Sequence, residues 1–195
     1  REDTDRSLMS MAGLDEDADT FAPLMHAAPR RAIWLGINLV TAFIAASVIN
    51  LFQGTIKEFV FLAVLMPIVA SMGGIAGTQT LTLMVRGIAL GQVVKNNQAW
   101  LINRELVIGL MNGILWAVVV AIAASIWFQQ WKIGLIIAAA MVINLVTAAL
   151  AGAVLPLLMT RAKIDPALAG GVVLTTITDV VGFVSFLGLA TLLYA

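Results

Sequence analysis

"PIVASMGGIAGTQT", Pro67 to Thr80, sets a proline, three glycines and a glutamine inside a long apolar run. A spanning helix should be most regular there. Pro67 removes one helix hydrogen bond and disturbs the turn before it. Gly73, Gly74 and Gly77 permit backbone angles closed to other residues. In hydrocarbon, non-helical backbone persists only where it is buried in protein or lines a wet cavity. The stretch therefore predicts a span broken at its Gly-rich segment. A half-helix ending there would aim its carbonyl oxygens inward, which suits a cation. Ser71, Thr78, Gln79 and Thr80 add neutral oxygens. The glycines also admit a plainer use. Gly73 and Gly77 form a GxxxG pair, which lets two helices approach closely.

Outward from this stretch, the composition sets the class. The chain has 195 residues, 61% hydrophobic and 11% charged, with a mean hydropathy of +1.01. Soluble domains are about half apolar and about a quarter charged. The prediction is an all-α integral membrane protein. A crossing needs about twenty mostly apolar residues, and five stretches meet that need: 32–54, 59–90, 105–130, 133–159 and 167–194. The third and fourth are joined by "QQWKIG", Gln129 to Gly134, which reads as a tight hairpin. Trp34, Trp100, Trp127 and Trp131 read as interfacial belt residues. Cysteine is absent, which excludes disulfides and thiolate metal sites. Zero net charge leaves no electrostatic footprint for nucleic acid.

Orientation follows from Lys and Arg. A cytoplasmic N-terminus puts Arg30, Arg31, Arg86, Lys95, Arg104, Arg161 and Lys163 inside, and only Lys57 and Lys132 outside. Five spans then put the C-terminus outside. Seven of the eleven acidic residues fall before position 20: Glu2, Asp3, Asp5, Asp15, Glu16, Asp17 and Asp19. Residues 1–29 read as a cytoplasmic segment and 30–195 as the membrane domain. Leu8, Met9, Met11 and Leu14 suggest a short amphipathic helix, and "FAPLMHAAPRR" a linker in which His26 has no special role. The chain starts with Arg1, and a longer natural N-terminal part is expected.

One carboxylate lies deep in a span: Asp179, in "VVLTTITDVVGFVSF". Glu58, Glu105 and Asp165 read as lying near span ends. A carboxylate at mid-membrane costs several kcal/mol, and such groups usually face a pore, a partner or a proton relay. Helical spacing puts Gly171, Thr175, Thr176 and Gly182 on the stripe of Asp179. The plainer alternative is a protonated Asp bonded to a neighbouring helix. Asn112 and Asn144 read as interhelical hydrogen-bonding residues.

These residues carry a resemblance. The chain resembles the membrane domain of the MgtE family of magnesium channels over nearly its whole length. The pattern of that family in the second span is close to P-x5-GG-N-x-GNQ. Pro67, Gly73, Gly74, Gly77 and Gln79 match it, while Ile75 and Thr78 stand where the family has asparagines. In the fifth span Asp165, Pro166, Ala167, Leu168 and Asp179 match, and Gly171-Val172 stands where the family often has Asn-Pro. The resemblance implies a homodimer of five-helix protomers in the plasma (inner) membrane. Spans two and five would line a pore at the two-fold axis. The transported ion would be Mg²⁺, and no enzymatic chemistry is implied. It also implies that residues 5–28 are the end of a connecting plug helix, below a cytosolic magnesium sensor.

Mg²⁺ dehydrates reluctantly and keeps several waters. A path for it should be wide and lined by carbonyls, hydroxyls and a few carboxylates. The expected metal site therefore comprises Asp179, Thr175, Thr176, Gly171, Gly73, Gly74, Gly77 and Gln79. Two rivals stand beside this reading. One is a cation-coupled carrier or divalent exchanger using Asp179. The other is a membrane anchor in which the glycines pack and Asp179 is structural.

Overall fold

The computed structural model describes residues 24–194. The amphipathic helix expected around Leu8 to Leu14, and the acidic cluster, lie outside the described residues. Among the described residues six helices follow one another: α1 (Leu24–Leu51), the short α2 (Gln53–Glu58), α3 (Phe61–Ala89), α4 (Gln98–Phe128), α5 (Trp131–Arg161) and α6 (Pro166–Tyr194). Five are long and apolar enough to cross a membrane: Ala32–Leu51, Phe61–Ala89, Gln98–Phe128, Trp131–Arg161 and Ala169–Tyr194. The chain is a multi-pass helical membrane protein. No described residue is in a strand.

The expected break in the second span is not found. α3 runs from Phe61 to Ala89 without interruption. Gly91 is the glycine with positive φ among the described residues, so Gly73, Gly74 and Gly77 all keep ordinary backbone angles. Pro67 lies near the start of α3, so its missing N–H leaves only the Ala63 carbonyl without its helical partner. Transmembrane helices absorb such a loss locally.

Three boundaries also differ from expectation. Leu24 to Pro29, expected as a linker, form the first turns of α1. The α4–α5 hairpin is narrower than Gln129–Gly134, because α5 starts at Trp131. Gln129 makes this turn in the left-handed conformation, φ 55°, and its Nε2 donates to the Ile126 carbonyl at 2.7 Å. α4 begins at Gln98, earlier than the expected 105. Asn97 organises the approach. Its Oδ1 accepts from the Val94 amide at 2.9 Å and its Nδ2 donates to the Gln92 carbonyl at 2.8 Å. Glu105 thus lies two turns inside a helix, where it is buried.

α5 is the axis of the bundle. It packs on α3, α4 and α6, and it is the most buried of the five spans. Ile133, Ile136, Ile137 and Ala140 of α5 meet Leu62, Leu65 and Val69 of α3 and Phe186, Leu187 and Ala190 of α6 in the main core. α1 is peripheral. Among the described elements it touches α6 and the short α2. Its exposed Leu35, Leu39 and Phe43, with Met111, Leu115, Val118 and Ile122 of α4, present apolar side chains outward, as a lipid-facing surface requires.

The two ends of the bundle differ in charge. Arg161 Nη2 donates to Gln98 Oε1 at 3.1 Å, joining the end of α5 to the start of α4. That end carries Arg86, Lys95, Arg104, Arg161 and Lys163. At the opposite end Thr55 bonds Thr191 at 2.8 Å, and Lys132 Nζ lies 5.9 Å from the Tyr194 ring centroid. Lys57 and Lys132 are the basic residues there among the described residues.

Candidate functional site

On one side of the bundle α3 and α6 line an open groove of about 920 Å³. α3 supplies Ala70, Ser71, Gly74, Ile75, Thr78, Gln79, Thr82 and Leu83, and α6 supplies Thr175 and Asp179. The α3 residues recur at helical spacing, so they form one face of a continuous helix. The opposite face, with Leu65, Val69, Gly73 and Gly77, is buried against the rest of the protomer.

Asp179 is half-buried at the wall of this groove. Among the described residues nothing donates to its carboxylate or forms an ion pair with it. The structural alternative, an Asp bonded to a neighbouring helix, finds no such bond among them. A carboxylate inside a span without a protein partner needs water or a cation for its lone pairs.

Two of the hydroxyls nearby, on Thr78 and Thr175, are arranged as acceptors. Thr78 Oγ1 donates to the Gly74 carbonyl at 2.8 Å, and Thr175 Oγ1 donates to the Gly171 carbonyl at 2.9 Å. Each O–H is used on its own helix, so the lone pairs are what these residues can offer the groove. The waters around a cation point their hydrogens outward and need acceptors.

The expected site residues divide into two groups. Asp179, Thr175, Gly74 and Gln79 come together on the groove. Gly74 has open space where a Cβ would be. Gly73 and Gly77 face the protomer interior. A Cβ on Gly73 would overlap the Asn144 amide, and one on Gly77 would lie 2.9 Å from Leu174 Cδ1. Leu81 reciprocates against Gly170, where a Cβ would come within 3.1 Å. These glycines let α3 seat closely on α5 and α6, the plainer use that a GxxxG pair allowed. Thr176 bonds the Val172 carbonyl at 2.8 Å and does not line the groove. Gly171 reaches the site through its carbonyl on Thr175 and is not itself a lining residue. Gly182, expected on the stripe of Asp179, is buried against Asn144. Ser71 and Thr78 were legible as oxygens beside the glycines; Thr82, one turn beyond Thr78, was not singled out, because it lies past the quoted stretch.

Asn144 is an interhelical residue, as expected. It is fully buried in α5, and its Nδ2 donates to the Val69 carbonyl of α3 at 2.8 Å. It fills the space between Gly73 of α3 and Gly182 of α6, so one amide meets three helices. Its Oδ1 has no partner among the described residues. Asn144→Ala removes the bond and opens a void between those glycines. The expected loss is about 1–3 kcal/mol of stability, measurable as a lower thermal midpoint in detergent. Asn112 behaves differently from expectation. Its Nδ2 donates to the Ile108 carbonyl of its own helix at 3.0 Å, because its side chain lies on an exposed face of α4.

Residues 66–189 match the sequence profile of the MgtE family, described as a divalent cation transporter. The chain belongs to the MgtE family. All of the groove, from Ala70 to Asp179, falls within the matched residues. A magnesium transporter MgtE of Bacillus subtilis (strain 168) is 32% identical over 189 residues, covering 97% of this chain and 42% of the relative. One of Enterococcus faecalis is 31% identical over 182 residues, 93% of this chain and 40% of the relative. One of Thermus thermophilus is 27% identical over 163 residues, 84% of this chain and 36% of the relative. The chain thus spans roughly two-fifths of the length of these curated MgtE relatives.

Proposed function

We propose that the α3–α6 groove is one half of a path for hydrated divalent cations, foremost Mg²⁺. A second copy of the chain closes it at a two-fold axis in the plasma (inner) membrane. The observation that carries this reading is Asp179: a carboxylate inside a span, without a protein partner among the described residues, opening on a groove of acceptor oxygens. Two such carboxylates across an axis would balance one dication. Hydroxyl, amide and carboxylate oxygens suit a hard cation that keeps its waters. Membership of a divalent cation transporter family and the names of the relatives support the same reading. The basic end of the bundle, with Arg86, Lys95, Arg104, Arg161 and Lys163, is assigned to the cytoplasm, and transport runs towards it.

The absence of cysteine makes the geometry directly testable. Thr78→Cys on the groove should link two copies through a short bifunctional thiol reagent. Val119→Cys, on the exposed face of α4, should not. The reverse pattern would place the groove against lipid. In liposomes, Mg²⁺ entry should need no gradient of a second ion. A strict requirement for one would make the protein a coupled carrier instead.

A further inference from the structure

α3 forms the long wall of the groove, so its rotation about its own axis decides which oxygens face Asp179. Against α5 that rotation is set by close packing. A Cβ on Gly152 would lie 2.7 Å from the Gly77 carbonyl oxygen and 2.9 Å from Thr80 Cβ. Towards α4 little holds it. α3 and α4 scarcely touch, and a second cavity of about 240 Å³ separates them. Ile75 and Gln79 line both this cavity and the groove, so they are the partition between the two.

One polar contact bridges the gap. Thr80 Oγ1 of α3 donates to Glu105 Oε2 of α4 at 3.2 Å. Both residues are buried, Thr80 at 6% and Glu105 at 5% exposure. The other carboxylate oxygen, Oε1, accepts from Arg104 Nη1 at 3.1 Å. Glu105 itself stands on firm ground. One turn along, Gly109 seats α4 on α5 so closely that a Cβ would come 2.5 Å from Ala149 Cβ. A carboxylate fixed to one helix thus grips the residue next to Gln79 on another.

We propose that Glu105 is a positioning residue for ion passage: through Thr80 it holds α3 at the rotation that presents Thr78, Gln79 and Thr82 to the groove. This rests on the reading of the groove as the ion path. Glu105 lies behind the wall and does not line the groove, so it acts on the ion through geometry.

The test is Mg²⁺ flux in liposomes by Glu105→Ala, Glu105→Gln, Thr80→Val, Thr80→Ser and the Glu105→Ala/Thr80→Val double variant, each normalised to protein that elutes as wild type. Hydrogen bonds to a charged group are worth more than a factor of ten in an equilibrium, and only part of that reaches the groove. Glu105→Ala and Thr80→Val should therefore each shift the half-saturating Mg²⁺ concentration by roughly three- to tenfold. The double variant should be no worse than either single, because both remove one bond. Thr80→Ser, which keeps the donor, should stay within about twofold of wild type, and Glu105→Gln, which keeps an acceptor but loses the charge, should fall between wild type and Glu105→Ala. Should Glu105→Ala not fold, Thr80→Val against Thr80→Ser decides alone. Unchanged half-saturation in folded Thr80→Val, whatever its stability, overturns the proposal. So do additive effects in the double variant. Asp179→Ala run alongside separates the two failures. If it conducts as wild type, the groove is not the path. If it loses flux while Thr80→Val is unaffected, only the brace is wrong.

Discussion

Asp179→Ala is expected to cut divalent flux about a hundredfold or more while leaving the fold intact. The size follows from electrostatics. A carboxylate and a hydrated dication roughly 7 Å apart attract by about 5 kcal/mol at an effective dielectric near 20. A two-fold axis would apply that loss twice. The fold should survive because the carboxylate makes no hydrogen bond or ion pair among the described residues. Removing it relieves a burial cost and breaks no polar bond between helices among the described residues. Asp179→Asn keeps the shape and loses the charge, so it should fall close to alanine in flux. Equal flux for wild type and Asp179→Ala at equal protein density in liposomes would remove Asp179 from the ion path.

The second large effect separates two adjacent glycines. Gly73→Ala should destabilise the protein by about 1–3 kcal/mol, because its methyl would overlap the Asn144 amide, which is itself fixed on Val69. Gly73→Leu should not fold. Gly74→Ala should leave stability unchanged, since open space lies where its methyl would go. That methyl enters the groove, so the variant should fold normally and conduct less. Thermal midpoints in detergent and flux in liposomes, read on the same preparations, check both halves. A stable Gly73→Ala variant with impaired flux would reverse the assignment of the two glycines.

This pair also shows what the sequence could and could not disclose. The number of spans and their rough positions were legible, because long apolar runs admit few other folds. Asp179 was legible because a lone carboxylate in such a run needs a reason. The rotation of each helix was not legible. α3 is apolar on every side apart from a few hydroxyls, Gln79 and Arg86 in its last turn, so it has almost no amphipathic signal to say which glycines face inward. The expected break failed for a related reason. Proline and glycine permit an interruption but do not require one when neighbouring helices pack tightly on the segment. The burial of Glu105 was not legible because Gln98, Asn103 and Arg104 dilute the apolarity of the first turns of α4, so the helix start was set too late. Its burial and its hold on Thr80 depend on that unseen start.

The central claim is that a hydrated divalent cation passes between two copies of the α3–α6 groove at Asp179. The most direct measurement is a density map of the lipid-reconstituted protein with Mn²⁺ in place of Mg²⁺, using the anomalous signal of the metal to locate it. The account predicts a metal peak on the two-fold axis, flanked by the two Asp179 carboxylates through intervening water and absent in Asp179→Asn. A map in which Asp179 is hydrogen-bonded to a partner helix, with the metal elsewhere or missing, would contradict it.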